Sequence, residues 1–294
     1  MRPLLPRIVA GERLVGDGAM ATMLFQRGLD PGQPPESITL SHPAVLEEIA
    51  RLYLDAGSDI LQTNTFGGSS LRLALHGLED ETEAINRDAV RAVRRVAGDR
   101  AYVCASCGPS GRLLEPYGDV SASAVYDSFH RQMAALCAAG TDCVIVETMT
   151  DLAEATLAVR AAKDVSPGIP VLATMTFDAT PRGFFTIMGV SVAAAAAGLL
   201  EAGADAIGSN CGSGIEQLVQ VAREFRRHTT APLVIQANAG LPHSVDGRSV
   251  YDESPAFFAD KARELADLGV SVIGGCCGTT PNHIAALRAM VDSL

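Results

Sequence analysis

The chain has 294 residues, of which 48% are hydrophobic, and a formal net charge of -11. That apolar share supports a large core, and the absence of Trp, of a basic stripe and of any nucleic-acid motif argues against nucleic-acid binding. No apolar run is long enough to cross a bilayer, and the alanine-rich stretch 190–200 is too short. The opening Met1-Arg2-Pro3-Leu4-Leu5-Pro6-Arg7 is broken by prolines and has no signal-peptide apolar region, so the expected location is the cytoplasm. In that compartment seven cysteines, an odd number, point to metal binding, catalysis or plain burial rather than a disulfide framework.

In chain order, one pattern recurs about eight times: a short apolar run ending in small or polar residues, then an Ala/Leu/Arg-rich helical stretch. The apolar runs cover 14–19, 59–64, 101–108, 142–148, 170–177, 205–211, 232–240 and 270–278. The helical patterns cover 45–56, 81–96, 122–139, 153–163, 192–202, 215–228, 255–268 and 283–294. Several helices end in a glycine, at Gly57, Gly140, Gly203 and Gly269, followed at once by the next strand. Glycine there supplies the left-handed residue that stops a helix. Continuous apolar strands alternating with helices predict a parallel sheet covered by helices. Eight such units predict an α/β protein, a single (β/α)8 TIM barrel, with residues 1–294 as one domain; an open doubly wound sheet is the runner-up. Two insertions exceed a minimal loop. Residues 26–43 carry four prolines, and residues 174–191 carry Phe184 and Phe185. Both follow strands, where the fold places its functional face, so both are expected to cover a substrate.

The strand ends carry Asp17, then Asn64, Thr65 and Phe66, Ser106, Glu147, Thr148, Asn210 with Cys211, Asn238, and Cys276 with Cys277. A closed barrel brings all of them to one face. Lysine is missing from these positions, since Lys163 and Lys261 lie in helical stretches, which argues against a Schiff base. Cys276 and Cys277 stand between glycines after an apolar run, and Cys211 stands in a similar turn. Three thiolates with an open fourth position make a catalytic zinc pattern. Small buried cysteines or a vicinal disulfide are the plainer readings. Cys104 and Cys107 fall three apart within a strand, hence on opposite faces, and are expected to be buried rather than to share a metal; Cys137 and Cys143 read as core. Asp17 and Glu147 are either helix caps or a carboxylate pair for a ligand's ammonium group. The backbone N–H groups of Gly18 and Ala19 suit a carboxylate, so together these groups suit an α-amino acid. The stretch 16–21 loosely resembles a dinucleotide fingerprint, but its partner acid would be Glu36, in a proline-rich loop rather than at a strand end. Residues 274–280 also have the form of a phosphate site, which leaves the two cysteines unexplained.

The motifs Gly16-Asp17-Gly18-Ala19, Thr63-Asn64-Thr65-Phe66, Glu147-Thr148, Asn210-Cys211, Asn238-Ala239-Gly240 and Gly274-Gly275-Cys276-Cys277-Gly278-Thr279-Thr280-Pro281 together resemble the zinc-dependent homocysteine S-methyltransferase family. Within that family the resemblance is closest to the N-terminal homocysteine-binding module of cobalamin-dependent methionine synthase, and it covers nearly the whole chain. It implies a barrel with Zn2+ on Cys211, Cys276 and Cys277, and Asp17 and Glu147 at the ammonium end of homocysteine. It also implies that Asn238 fills the fourth zinc position when substrate is absent. The implied reaction is methyl transfer to the homocysteine thiol, giving methionine. No cobalamin or folate module follows residue 294 in this sequence. The expected donor is therefore a methylated corrinoid protein acting in trans, or else a small compound such as S-methylmethionine or betaine. A quaternary ammonium site wants an aromatic cage, and a chain without Trp favours the corrinoid partner. The stretch around Phe184-Phe185 departs from the methionine synthase pattern, and a small thiol other than homocysteine is the alternative acceptor.

Overall fold

The computed structural model describes residues 1–30, 32–245 and 248–294. Pro31, one of the four prolines of the first insertion, lies outside the described residues. Eight parallel strands form one sheet: β1 (Leu14–Val15), β2 (Ile60–Gln62), β3 (Tyr102–Cys107), β4 (Cys143–Met149), β5 (Val171–Met175), β6 (Ala206–Gly214), β7 (Leu233–Asn238) and β8 (Val272–Gly275). Their order around the sheet is β1-β8-β7-β6-β5-β4-β3-β2. Leu14 pairs with Val272 on one side of β1. On the other side a single bridge, Gly16 to Ile60, and the Asp59 N–H donating to Val15 O at 2.8 Å close the ring. The expected (β/α)8 TIM barrel is the fold observed, and each of the eight apolar runs coincides with one of its strands, although β4 and β6 run on past theirs to Met149 and Gly214.

A helix follows every strand: α1 (Pro43–Asp55), α2 (Thr82–Ala97), α3 (Ala122–Ala138), α4 (Leu152–Val165), α5 (Val192–Glu201), α6 (Ile215–His228), α7 (Pro255–Asp267) and α8 (Pro281–Asp292). Four of them begin at a side-chain cap, Ser121, Asp151, Ser191 or Ser254, which accepts a first-turn N–H. The four expected terminator glycines all have φ between 71° and 104°.

Strand alternation divides the apolar residues into two layers. Tyr102, Cys104, Cys143, Ile145, Leu172, Val234 and Val272 fill the barrel interior. Val103, Cys107, Val144, Val146, Ala173 and Ile235 face the helices. Cys104 and Cys107 thus point to opposite layers, as their spacing requires. Cys143 is fully buried, whereas Cys137 is only half-buried. At Gly208 the barrel wall leaves no room for a side chain: a Cβ there would lie 1.8 Å from Val234 O on β7.

The proline-broken N-terminal stretch, for which no element was predicted, forms one. Leu4–Val9 is a helix whose Leu4 and Ile8 plug the interior core from the far end of the barrel. Pro6 falls in its first turn, where no intrahelical N–H is required, so the ring is tolerated. Among the described residues no helix is long and apolar enough to cross a membrane.

Candidate active site

At the C-terminal ends of the strands lies a cavity of about 380 Å³. Its wall includes Gly18, Ala19, Asn64, Phe66, Glu147, Cys211, Cys276 and Cys277, all expected from the sequence. The ligating atoms of the three cysteines lie within 4.8 Å of one another, and Cys211 Sγ is 4.0 Å from Cys277 Sγ. All seven cysteines are free thiols, so the vicinal disulfide is not formed. Cys276 and Cys277 are fixed by the backbone: Cys276 N–H donates to Ala237 O at 2.7 Å, and Ala239 N–H donates to Cys277 O at 3.0 Å. Cys211 has φ of 60°, one of two non-glycine residues with positive φ among those described. The other is Thr148, at 58°. Both stand on the cavity wall, and backbone strain of this kind concentrates at functional sites.

Asn210 locks this strained pair. Its Oδ1 accepts Thr148 N–H at 2.7 Å and the Thr174 hydroxyl at 2.8 Å, while its Nδ2 donates to Thr148 Oγ1 at 2.7 Å. Nδ2 also approaches Glu147 Oε2 at 3.4 Å and Cys276 Sγ at 3.8 Å. Asn210 itself is fully buried and does not line the cavity, so its part is to position the carboxylate and the cysteine. Glu147 also accepts a short hydrogen bond from the Ser106 hydroxyl.

The two acids are not helix caps. Burial pushes the Glu147 carboxyl up to about 7, against the opposing Ser106 hydrogen bond. Burial pushes Asp17 up to about 8, opposed by the Gln62 N–H donating to Oδ2 at 2.7 Å and reinforced by the charge of Glu147. Asp17 lies off the cavity wall. It lines a small void in the barrel interior with Ile60, Cys104 and Gln236, and its Oδ1 has no hydrogen-bond partner. Gln62 lines both spaces and joins them. Of the two N–H groups expected to receive a carboxylate, that of Ala19 is already spent on Thr279 Oγ1 at 3.2 Å.

The thiols interact strongly with one another. Hydrogen bonds from Cys276 and Cys277 pull the Cys211 thiol well below its usual range, and the contact with Cys211 raises both Cys276 and Cys277. Asn238 is 3% exposed; its Nδ2 donates to Gly212 O at 2.7 Å, and its Oδ1 is buried without a partner.

Other expectations need correcting. Thr65 is fully buried and bonds to Ser106 O and to the Thr63 hydroxyl, so it supports the strand end rather than lining the cavity. Of the two insertions only the first contributes wall, through Gly32, Gln33, Pro34, Pro35 and Glu36. The second folds into a hairpin of Asp178–Thr180 and Gly183–Phe185, and neither Phe184 nor Phe185 reaches the cavity. Glu36, passed over in the sequence, is 4% exposed and accepts Gly67 N–H at 2.6 Å. Asn64 Nδ2 donates to Pro35 O at 2.7 Å, so two contacts latch the first insertion to the end of β2. Arg72 and His76 also line the cavity and had no signal in the strand-end pattern, because they sit on and just after a short helix beyond it. The Thr280 side chain is spent on a capping box with His283, which removes it from the phosphate reading.

A family model described as homocysteine S-methyltransferase matches residues 14–291. The methionine synthases of Mycobacterium leprae (strain TN) and Mycobacterium tuberculosis (strain ATCC 25618 / H37Rv) are 33% and 32% identical over 96% and 98% of this chain. The chain spans about a quarter of the length of these relatives, 24% and 25%. The metallated form of the homocysteine methyltransferase MmuM from Escherichia coli has the same fold, with a TM-score of 0.80 at 23% identity, over 97% of this chain and 99% of that one. The chain belongs to the homocysteine S-methyltransferase family.

Proposed function

We propose that residues 1–294 act as one homocysteine-binding barrel domain that transfers a methyl group to the thiol of homocysteine, forming methionine. The observation that carries this reading is the meeting of three cysteine sulfurs with a buried carboxylate on one cavity wall. The cysteines suit zinc. Tetrahedral Zn–S bonds of about 2.3 Å place sulfurs roughly 3.8 Å apart, close to the 4.0 Å between Cys211 and Cys277. The orphaned Oδ1 of Asn238 supports the same fit, as an oxygen that a fourth coordination position would satisfy. Cys211, Cys276 and Cys277 would hold the ion, with Asn238 as the ligand in the absence of substrate. When bound, zinc keeps the substrate thiol deprotonated at neutral pH.

The rest follows from the chain itself. Glu147, braced by Ser106 and Asn210, receives the substrate ammonium. Asp17, one layer below, adds its charge through the barrel interior as the ammonium lowers the cost of ionising both acids. The Gly18 N–H faces the substrate carboxylate. Phe66 and the first insertion exclude water from the thiolate. The substrate sulfur then supplies the electron pair of the new S–CH3 bond, the donor keeps the pair of the bond that breaks, and the thiol proton has already left to solvent. The donor is a methylated corrinoid carried by a partner protein; the similarity to methionine synthases supports a corrinoid as the source of the methyl group. The reaction belongs to the cytoplasm, where the three thiols stay reduced.

The test has two parts. Metal analysis of the purified protein should give close to one zinc per chain, and Cys276→Ala should lose it. Incubation with homocysteine and, in turn, methylcobalamin, a methylated corrinoid protein, S-methylmethionine and betaine should yield methionine with the corrinoid donors. A metal-free preparation that still methylates homocysteine would falsify the zinc reading. Turnover with betaine or S-methylmethionine alone would replace the donor.

A further inference from the structure

The two turns that carry the cysteines are joined by a residue outside both of them. Glu253 stands just before α7, half-buried, and commits its carboxylate, its N–H and its carbonyl to these turns. The carboxylate accepts Ile215 N–H at 3.2 Å, four residues after Cys211. The Glu253 N–H donates to Ala239 O at 3.0 Å, and the Ala239 N–H in turn holds the Cys277 carbonyl at 3.0 Å. The Glu253 carbonyl lies 2.9 Å from His283 Nε2. The other ring nitrogen of His283, Nδ1, accepts Thr280 N–H at 3.2 Å, three residues after Cys277. An accepting Nδ1 leaves the ring proton on Nε2, where it donates to Glu253.

Glycines make room for this link. A Cβ at Gly214 would lie 1.8 Å from Glu253 Oε1, and one at Gly240 would lie 3.2 Å from its Cγ. Gly214 is also the N-cap of α6 and has no side chain with which to meet the first-turn N–H groups. A Ser or Asp at that position would cap the helix locally. The acceptor comes instead from Glu253, 38 residues further along the chain, and its charge suits a helix N-terminus. A cap taken from that distance ties the end of the Cys211 turn to the backbone that holds Cys277. We propose that Glu253, seated on His283, is a positioning residue that sets the Cys211 turn against the Cys276–Cys277 turn and so holds the thiol set ready for its ion. The inference rests on the zinc reading of the three cysteines. Ligands already held in place lose less conformational freedom on closing around a metal, so the affinity rises. Glu253 touches no sulfur; it acts through the two turns.

Chelator competition measures the zinc affinity of each folded protein, and the thiolate-to-metal absorption band of the Co2+-loaded form reports the sulfur shell. Glu253→Ala should weaken zinc binding about 10-fold to 100-fold, the range for residues that orient metal ligands. Glu253→Gln should recover most of that loss, because its amide oxygen still accepts Ile215 N–H. Gly214→Ala reaches the same contact from the other side, since its methyl group displaces the flexible end of Glu253. It should match the loss in Glu253→Ala, and it replaces that variant where the latter does not fold. Glu154→Ala is the control: this buried carboxylate accepts Ser110 N–H at 2.8 Å in the loop after β3, and its removal should leave zinc affinity unchanged. Wild-type affinity in both Glu253→Ala and Gly214→Ala, no recovery in Glu253→Gln, or an equal loss in Glu154→Ala would overturn the positioning role. A wild type whose Co2+ form lacks the thiolate band would instead bring down the zinc reading, and this inference with it.

Discussion

Asp17→Asn removes an ionisable proton from the middle of the barrel while hardly changing the shape of the side chain. Its amide oxygen can still accept Gln62 N–H, now at 2.7 Å from Oδ2. In the folded protein burial raises the Asp17 carboxyl from 3.8 to about 8. Between these values the unfolded chain has lost the proton and the folded chain has kept it. Unfolding therefore releases a proton, and stability falls as pH rises, by a factor of about ten in the folding constant per pH unit. The contribution is fully present below 3.8 and is gone above 8. From pH 5 to pH 7 it amounts to about 100-fold, or about 3 kcal/mol. The asparagine variant lacks this slope, and the other titrating groups, Glu147 included, are common to both proteins and cancel in the difference. Urea unfolding of the metal-free, ligand-free proteins at the two pH values measures it. The variant should gain about 3 kcal/mol on the wild type between pH 5 and pH 7. A difference that stays constant to within about 0.5 kcal/mol would show that Asp17 is ionised in the folded protein and that burial does not govern it.

Asn238→Ala should weaken zinc binding by the substrate-free protein about 10-fold to 100-fold, as read by chelator competition, and should have less effect once homocysteine is bound. An equal loss in both states would mean that Asn238 acts only through its 2.7 Å bond to Gly212 O. Gly208→Ala forces a methyl group to within 1.8 Å of Val234 O. It should cost at least about 3 kcal/mol and lower the melting temperature by roughly 6 °C or more; a calorimetric shift under about 2 °C would show that β6 and β7 yield at no cost.

The eight strands and eight main helices were legible because each unit obeys a local rule, an apolar run followed by a helical stretch, and several of the helices are stopped by glycine. The three cysteines were legible because two adjacent thiols between glycines have little use in packing. What escaped notice depends on contacts far apart in sequence. Glu36 looks like a loop residue until its partner, Gly67, is known, and nothing periodic joins positions 31 residues apart. Asp17 was rightly expected at a strand end, but it lines the void in the barrel interior rather than the cavity wall; regular strand stops at Val15, and strict alternation from the interior Leu14 and the helix-facing Val15 would have sent Asp17 toward the helices. Thr65 and Asn210 share the strand-end address of the cavity residues and yet spend their hydrogen bonds inside the protein. The hairpin at Asp178–Thr180 and Gly183–Phe185 has turn residues but no burial pattern, so its direction away from the cavity left no trace in the sequence.

The cysteines come from β6 and β8, and these strands are not neighbours, because β7 runs between them. Sixty-six residues separate Cys211 from Cys277. A growing chain thus presents a single thiol of the set until β7 and β8 have been added. The pair at Cys276 and Cys277 joins Cys211 only when β8 has slotted between β7 and β1, the step that shuts the ring. On the proposed zinc reading, metal uptake then marks closure of the barrel. On that reading the full set of thiols exists only once β8 is seated, so a protein misregistered at the β1–β8 seam is expected to come off the column without metal.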